Sequence, residues 1–307
     1  MSKVTFEKFD LSKYTNCLVV TDSNIASLYG ISGDNVFLLP QGEEAKCFRC
    51  VEQLCSWFLR NNLGKGDTVV AVGGGSIGDT VGFATSIYKR GVGILHVPTT
   101  LLAQIDSSIG GKTAIDLDGI KNSVGTFHDG DTLIDVDFLK TLDEQQLANG
   151  YGELLKYCML SGNVEQTYNC GQGKLVDTIA SCVQYKQSIC AQDPYDKNVR
   201  HALNFGHTIG HAMELSLDIA HGVAVANGIY YETLLGAKLG ICSTDYADKW
   251  CAEVTRQFTV YPLTKQILAL TACDKKNADG KVCFVLPDTF AERYFTLEQL
   301  EELLLND

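Results

Sequence analysis

A chain of 307 residues is longer than one typical domain, and its 45% hydrophobic and 20% charged content is ordinary for a globular protein. The net charge of −12 argues against nucleic acid as a partner, because a phosphate backbone requires a basic face, but it allows a small anionic substrate held by a few lysines. No apolar run reaches the ~18 residues of a membrane span, and the start of the chain lacks the apolar stretch of a signal peptide. We therefore expect a cytoplasmic protein without a membrane partner.

The chain contains twelve cysteines. The reducing cytoplasm disfavours disulfides, and a chain of this size builds a core without them. Cys47 and Cys50 form one C-x-x-C pair, but no second pair completes a four-cysteine zinc site. We interpret the cysteines as structural residues.

Short β-rich runs alternate with helical stretches over the first half of the chain. The predicted strands span residues 17–21, 35–39, 68–72, 93–98 and 132–136, and residues 45–62 carry apolar side chains at helical spacing. This alternation indicates a parallel sheet with helical crossovers. From about residue 143 helix formers dominate, and β-branched runs are scarce until residues 281–286. We predict an α/β domain over residues 1–143 and a mainly helical domain over residues 144–307, with the seam between them as the natural cleft.

A glycine-rich loop follows the third predicted strand. The run from Val70 to Asp79 reads as a strand that breaks into Gly73, Gly74 and Gly75 and then enters a helix. Glycine lets the backbone approach a ligand closely, and the start of a helix offers free N–H groups to a phosphate. The run is therefore either a pyrophosphate cradle or a tight strand–helix turn, since it does not match the G-x-G-x-x-G fingerprint.

Histidine and glutamate residues in the second half indicate a metal site. His207 and His211 are four residues apart on one helical face, and His221 follows after a short turn. Glu153 and Lys156 are three residues apart on another predicted helix. Two imidazoles and one carboxylate match a catalytic zinc site, although isolated histidines also cap helices or fill cores. The spacing alone does not decide which two histidines bind.

Six sequence blocks, in one order along the chain, resemble those of the 3-dehydroquinate synthases, a family of sugar-phosphate cyclases. They are residues 73–79 (GGGSIGD), 97–104 (VPTTLLAQ), 106–114 (DSSIGGKTA), 121–122 (KN), 153–156 (ELLK) and 204–207 (NFGH). Several motifs in one order are more specific than any single motif. The resemblance implies an α/β N-terminal nucleotide-binding domain with a parallel sheet and a mainly α-helical C-terminal metal-binding domain.

The resemblance also implies two cofactors. Zinc or cobalt would be held by Glu153, His207 and His221, with His211 facing the substrate instead. NAD would be bound at its adenosine end by Asp22, Asn24, Glu43 and Lys46, at its phosphates by Gly74, Gly75 and Asp79, and elsewhere by Thr99, Thr100, Leu102, Lys121, Phe138 and Thr141.

The implied substrate site is rich in basic residues. Its members are Asp106, Lys112, Lys121, Asn122, Lys156, Lys186, Arg200, Asn204, His211 and Lys275. The family's substrate, 3-deoxy-arabino-heptulosonate 7-phosphate, carries a carboxylate and a phosphate, which are groups that lysine and arginine bind. Taken alone, each lysine would be interpreted as a solvated surface charge. Arg90 matches a residue that can reach the phosphate site of a neighbouring subunit, which implies a homodimer.

The implied activity is that of a phosphate-eliminating carbon–oxygen lyase in the shikimate pathway of aromatic amino acid biosynthesis. A hydride passes transiently from C5 to NAD, phosphate is eliminated, the ketone is reduced again, and the ring opens and closes as 3-dehydroquinate. Lys156 and Asp106 would stabilise the alkoxide and relay protons, and Lys186 and Arg200 would anchor the carboxylate. The phosphate would be held by Lys112, Asn122, Asn204, His211 and Lys275.

Three other functions are compatible with parts of the pattern. An NAD-dependent polyol or glycerol-phosphate dehydrogenase shares the glycine loop and the metal ligands, but the lysines at 112, 121, 156 and 186 favour an anionic sugar. A secondary-metabolic cyclase would act on another sugar phosphate, and the intact block at 106–112 argues against it. A non-catalytic scaffold would have lost ligand residues, and none is lost here.

The chain departs from the family pattern in several places. The usual N-terminal strand pair is predicted to be absent, and the stretch between residues 228 and 275 is compressed. Asp196 stands where a glutamate is usual, Val223 where a glutamate is common, and Asn227 where an apolar residue is common. None of these is a predicted metal ligand.

Overall fold

The computed structural model describes residues 2–169, 175–273, 280–287 and 289–306. Packing divides the chain into two compact units, Met1–Leu147 and Ala148–Asp307. The division falls inside a long helix, α4 (Glu144–Leu160), whose first residue follows the predicted domain boundary at 143.

The first unit is built on a parallel sheet. Its strands are β1 (Val4–Phe6), β2 (Leu18–Asp22), β3 (Val36–Leu39), β4 (Thr68–Gly73), β5 (Gly93–Pro98), β6 (Lys112–Leu117), β7 (Ile120–Phe127) and β8 (Asp131–Ile134). Six of them form one sheet in the order β1-β8-β5-β4-β2-β3, with every neighbouring pair parallel. The central strand β4 is a nearly continuous buried apolar run, as expected for a parallel strand covered on both faces.

Three helices cover this sheet: α1 (Ser23–Tyr29), α2 (Phe48–Arg60) and α3 (Gly75–Ile87). The predicted helix over residues 45–62 is shorter in the structure: Ala45 ends a separate 3-10 turn (Gly42–Ala45), and α2 is capped by Cys47 and Asn61. A π-helical turn, Ala103–Ser107, follows β5. The antiparallel hairpin β6–β7 was not predicted, because its second strand is mostly exposed and polar and so lacks an apolar alternation.

The N-terminal edge of the sheet is formed by one short strand. The family's usual strand pair was expected to be absent, but a single strand, β1, pairs with β8 through Val4 opposite Thr132 and Phe6 opposite Ile134. A strand of three residues is too short to show a recognisable period in the sequence.

The second unit is mainly helical. Besides α4, its helices are α5 (Gly162–Asn169), α6 (Leu175–Gln192), α7 (His207–Leu217), α8 (His221–Lys238), α9 (Thr244–Gln257), α10 (Lys265–Leu270) and α11 (Leu297–Leu305). An antiparallel pair, β9 (Val282–Leu286) and β10 (Ala291–Phe295), completes it. Its core includes Ile209, Met213, Leu235 and Phe284, all fully buried.

Asn227, which stands where an apolar residue is common, has a structural role. Its side chain is fully buried on α8. Nδ2 donates to the carbonyl oxygens of Val223 (2.9 Å) and Thr259 (3.1 Å), and Oδ1 accepts from the N–H of Tyr261 (2.8 Å). The amide therefore connects the segment after α9 to α8 by hydrogen bonds, within the compressed part of the chain.

Two findings concern the whole described chain. No disulfide joins the ten cysteines whose side chains the structure describes. Among the described helices, none combines the length and the apolar character that crossing a membrane requires.

Candidate active site

Close backbone contacts bring α4, α7 and α8 together in the second unit. A β-carbon on Gly222 would lie 1.7 Å from the carbonyl oxygen of Asn149 in α4. A β-carbon on Gly228 would lie 1.8 Å from the carbonyl oxygen of Gly206, which precedes α7. Because no side chain fits at these distances, glycine is required for α8 to pack against both helices. The first turns of α7 and α8 and the middle of α4 consequently meet at one place.

Three predicted ligand side chains converge at this place. His207 and His221 are the first residues of α7 and α8, and Glu153 lies in the middle of α4. Glu153 Oε1 is 3.2 Å from His207 Nε2 and 3.2 Å from His221 Nε2. The three ligand atoms lie within 4.8 Å of one another, and no other such group of His, Cys, Asp or Glu occurs in the described ranges.

The outer nitrogens of both imidazoles have acceptors. His207 Nδ1 lies 3.1 Å from the carbonyl oxygen of Phe205, and His221 Nδ1 lies 2.9 Å from Glu214 Oε2. A carbonyl and an ionised carboxylate only accept, so each Nδ1 carries the proton that it donates. Each Nε2 faces Glu153 and, when it carries no proton, directs its lone pair towards that carboxylate. Two imidazole nitrogens and a carboxylate oxygen are a donor set that zinc accepts, and the residues present fit such an ion.

The pKa values of the group reflect its burial and its charges. Burial raises the pKa of Glu153, but the Lys156 ammonium and His207 outweigh it, and the net pKa lies well below the usual value. Burial lowers the pKa of His207 to about 4. Burial also lowers the pKa of His221, but its bonds to the Glu153 and Glu214 carboxylates outweigh burial and raise the pKa to about 9. A divalent cation that displaces the His221 Nε2 proton would meet three electron-pair donors.

His211 lies beside the group but outside it. Its ring centroid is 5.3 Å from that of His207 and 5.9 Å from that of His221, and its side chain is exposed. Lys156 lies at the second oxygen of the Glu153 carboxylate: its Nζ is 2.5 Å from Oε2, and its side chain is almost completely buried. The geometry thus separates the two histidines that face Glu153 from the third, a choice that the spacing left open. That His207 and His221 are metal ligands stays a prediction.

Two carboxylates that support the group were not singled out from the sequence. Glu214 holds His221 from the last turn of α7. Glu232, fully buried in α8, accepts from the N–H of Gly206 (2.6 Å) and of Ile209 (3.3 Å) and so caps the start of α7. Glu232 is the one acidic residue of α8, and a single acid among mostly apolar and small residues is the signal that could have found it.

The predicted substrate residues of the second unit are largely buried. Lys186 on α6 is 5% exposed, and Arg200 is 2% exposed and donates to the carbonyl oxygen of Pro194. Because both side chains are buried, neither is a solvated surface charge. Asn204 ends a 3-10 turn just before α7, and its buried Nδ2 has no hydrogen-bond partner among the residues described. Lys275 lies outside the described residues.

The predicted NAD residues of the first unit gather at the carboxyl ends of neighbouring strands. Asp22 ends β2 and caps α1, accepting from the N–H of Asn24 at 2.8 Å. Gly74 precedes α3 directly after β4, and a β-carbon there would lie 3.1 Å from the Thr100 side chain. Thr99 follows β5, and its N–H donates to the carbonyl oxygen of Gly73. In open α/β sheets ligands bind at this edge.

The surroundings of the glycine loop fit a polar ligand. The hydroxyl oxygens of Thr21, Thr99 and Ser107 are buried, and in the described part of the chain they have no hydrogen-bond partner. A small cavity lined by Gly74, Gly75 and Ser107 lies beside the start of α3. Unsatisfied buried hydroxyls next to free helix N–H groups suit a phosphate-bearing cofactor.

Lys46 connects the loop to the β6–β7 hairpin. Its Nζ is 2.7 Å from Asp79 Oδ2 and 2.5 Å from Asn122 Oδ1. The Asn122 backbone, with φ of 51°, donates in turn to Asp116 Oδ1 (2.7 Å). Three positions predicted to bind cofactor or substrate thus form one hydrogen-bonded cluster.

The remaining predicted positions are more scattered. Lys112 and Lys121 are exposed on the hairpin, and Asp106 lies on the π-helical turn. Phe138 is buried in the core against the ring of Tyr29, and Thr141 is bonded to the Tyr29 hydroxyl. The others are Asn24 and Glu43, both exposed, Leu102 before the π-helical turn, and Arg90, exposed with φ of 62°.

Solved structures share this fold. The chain superposes on ValA, the 2-epi-5-epi-valiolone synthase of Streptomyces hygroscopicus subsp. jinggangensis 5008, with a TM-score of 0.83 and 25% identity, covering 99% of this chain and 96% of that one. That structure has NAD+ and Zn2+ bound. The glycerol dehydrogenase of Schizosaccharomyces pombe superposes with a TM-score of 0.66 and 12% identity, covering 96% and 84% of the two chains, which shows a shared fold alone.

Proteins of similar sequence identify the family to which the chain belongs more specifically than the shared fold does. The 3-dehydroquinate synthase of Caulobacter vibrioides (strain NA1000 / CB15N) is 38% identical over 310 residues, covering 90% of this chain and 84% of its own. That of Alkaliphilus metalliredigens (strain QYMF) is 36% identical over 297 residues, covering 88% and 83%. The family model for the 3-dehydroquinate synthase N-terminal region matches residues 36–149, and the C-terminal model matches residues 150–277. The chain belongs to the 3-dehydroquinate synthase family.

Proposed function

We propose that this enzyme converts 3-deoxy-arabino-heptulosonate 7-phosphate to 3-dehydroquinate and inorganic phosphate, with NAD and zinc or cobalt as cofactors. The observation that carries the proposal is the convergence of Glu153 Oε1 with the Nε2 atoms of His207 and His221, in a chain of this family. The cofactors of the valiolone synthase structure are consistent with it.

Glu153, His207 and His221 would hold the cation. When bound, NAD supplies a hydride acceptor and the cation a Lewis acid that lowers the pKa of a substrate hydroxyl. The Lys156 ammonium, fixed by Glu153, adds a buried positive charge that stabilises a negatively charged substrate oxygen nearby. Lys156 pairs with Glu153 Oε2. Its ammonium therefore adds positive charge to the site without occupying Oε1, the oxygen that faces the two histidines.

The substrate's two anionic groups require separate cations. Lys186 and Arg200 are buried, and a carboxylate bound beside them would interact with little screening by water. The phosphate would be held by Lys112, Asn122, His211, Lys275 and by Asn204 with its unsatisfied Nδ2. Asp106 would take part in proton transfer with Lys156.

The NAD site is proposed at the carboxyl edge of the sheet. The pyrophosphate would lie against Gly74 and Gly75, where the N–H groups that begin α3 and the buried Thr99 hydroxyl can donate to it. Asp22, Asn24, Glu43 and Lys46 would contact the adenosine end, and Asp79, Thr100, Leu102, Lys121, Phe138 and Thr141 would complete the site.

The assignment of the NAD role to residues 1–143 and of the metal and substrate roles to residues 144–307 belongs to the proposal. So does a cytoplasmic homodimer with Arg90 near the neighbouring subunit's site. The exposed position of Arg90 beyond the end of α3 supports its availability to a partner.

A phosphate-release assay tests the proposal. Purified protein with zinc, NAD and the heptulosonate phosphate should release phosphate and form 3-dehydroquinate without accumulating NADH, because the reduction follows the oxidation within one cycle. Steady NADH formation from a polyol without phosphate release would assign a dehydrogenase. Phosphate release from a different sugar phosphate only would assign a secondary-metabolic cyclase.

A further inference from the structure

The two histidines of the candidate metal group are supported differently. His207 donates from Nδ1 to a backbone carbonyl two residues earlier, whereas His221 donates from Nδ1 to the carboxylate of Glu214, seven residues earlier. His221 is also the more exposed, at 30% against 12% for His207. It begins α8 after a short connection, and its two ring nitrogens are held by two carboxylates, Nδ1 by Glu214 and Nε2 by Glu153.

We propose that Glu214 is a positioning residue that fixes the tautomer and orientation of His221, and that the affinity of the site for a divalent cation depends on it. The Nδ1–H bond to a carboxylate leaves the lone pair on Nε2 and increases the electron density that this nitrogen can donate. The inference rests on the proposed function in one respect, namely that Glu153, His207 and His221 bind a cation.

The geometry separates Glu214 from the ligands themselves. Glu214 Oε2 approaches Nδ1, while Glu153 Oε1 approaches Nε2, so the imidazole ring lies between the two carboxylates. Glu214 follows His207 by seven residues, which is about two helical turns, and both therefore lie on the face of α7 that meets the start of α8. One helix thus supplies one candidate ligand at its beginning and the support for another at its end.

The test compares Glu214→Leu, Glu214→Gln and the wild-type protein. The dissociation constants of Zn2+ and Co2+ are measured by competition with a chromophoric chelator, and the visible absorption of bound Co2+ reports the ligand geometry. Glu214→Leu should weaken binding by about 10- to 100-fold. Glu214→Gln should fall between the two, because its amide oxygen still accepts from Nδ1–H but carries no charge.

Leu215→Ala is the matched control, since Leu215 is the adjacent residue of the same helix and is 70% exposed. Its metal affinity should equal that of the wild type, and thermal unfolding of the metal-free proteins checks that each variant folds. If Glu214→Leu does not fold, the Glu214→Gln variant decides: wild-type affinity there overturns the inference.

The outcomes distinguish this inference from the proposed function. If Glu214→Leu binds metal as tightly as the wild type, or if Leu215→Ala loses as much affinity as Glu214→Leu, the role of Glu214 is overturned. The proposed function is not affected by either result. A wild-type protein that binds neither Zn2+ nor Co2+ overturns the metal site of the proposed function as well. A graded loss from wild type through Gln to Leu, with an altered Co2+ spectrum, supports the inference.

Discussion

Lys46 and Asp79 form a buried ion pair with Nζ and Oδ2 2.7 Å apart, although 33 positions separate them in the chain. Burial lowers the pKa of Lys46, but Asp79 outweighs it and the net pKa is raised. Burial raises the pKa of Asp79 to about 6 against the opposing effect of Lys46, so both groups are charged at neutral pH. The pair joins the 3-10 turn before α2 to the first turns of α3, beside the glycine loop.

Replacing Lys46 by methionine should leave the Asp79 carboxyl buried without its ammonium partner. We expect the free energy of unfolding to fall by about 3 kcal/mol, the lower end for breaking a buried pair, because Asp79 keeps some exposure. NAD affinity should fall as well, measured by titration calorimetry. Lys140→Met removes an exposed ion pair with Asp137 and should change little in urea unfolding. Equal effects of the two substitutions would contradict the role of Lys46.

His207 and His211 are four residues apart but should behave differently on substitution. His207→Ala removes a nitrogen that faces Glu153 and should abolish zinc retention, measured as metal content after dialysis. His211→Ala should keep zinc and lower kcat, because its ring lies beside the group but is not part of it. Loss of metal from the His211 variant with retention in the His207 variant would reverse the two roles.

Glu232 should matter for the position of α7. Glu232→Gln removes a buried charge that accepts from two N–H groups at the start of that helix, and we expect a loss of about 2 kcal/mol in the free energy of unfolding. Metal affinity should fall with it, since His207 is the first residue of α7. Glu298→Gln, an exposed acid in the first turn of α11, is the control. Unchanged stability and affinity in Glu232→Gln would show that the cap is dispensable.

His96 should make stability depend on pH. It is buried in β5, and burial lowers its pKa from 6.5 to about 4. Below the unfolded pKa the unfolded chain takes up a proton that the folded protein does not, so this contribution reduces stability as the pH falls from 6.5 towards 4. Asp79 acts in the opposite direction, because its raised pKa lets the folded protein take up a proton first.

The comparison of wild type with His96→Gln isolates the histidine. Between about pH 7 and pH 5, the stability of the metal-free wild type relative to the variant should decrease by about 2 kcal/mol in urea unfolding. A difference that stays constant over this range would mean that His96 takes up its proton at the same pH in the folded protein as in the unfolded chain.

Much of the fold followed from local sequence pattern. All five predicted strands are present, because apolar β-branched runs bounded by glycine and polar residues determine strands locally. The glycine loop likewise begins a helix directly after β4, as its residues indicated. The family was recognisable for a related reason, since its motifs are short and contiguous.

The details of the site depended on tertiary structure. The sequence alone determined that histidines and acids were present at suitable spacing. It did not determine that Glu153 faces His207 and His221. Nor did it determine that Glu214 accepts from His221 or that Glu232 accepts from the N–H groups at the start of α7. These contacts join helices α4, α7 and α8, and Lys46, Asp79 and Asn122 likewise come from three separate elements. Local periodicity specifies which face of a helix is apolar, whereas the partner of a buried polar group is set by the packing of whole elements, through contacts as specific as the glycine approaches at Gly222 and Gly228.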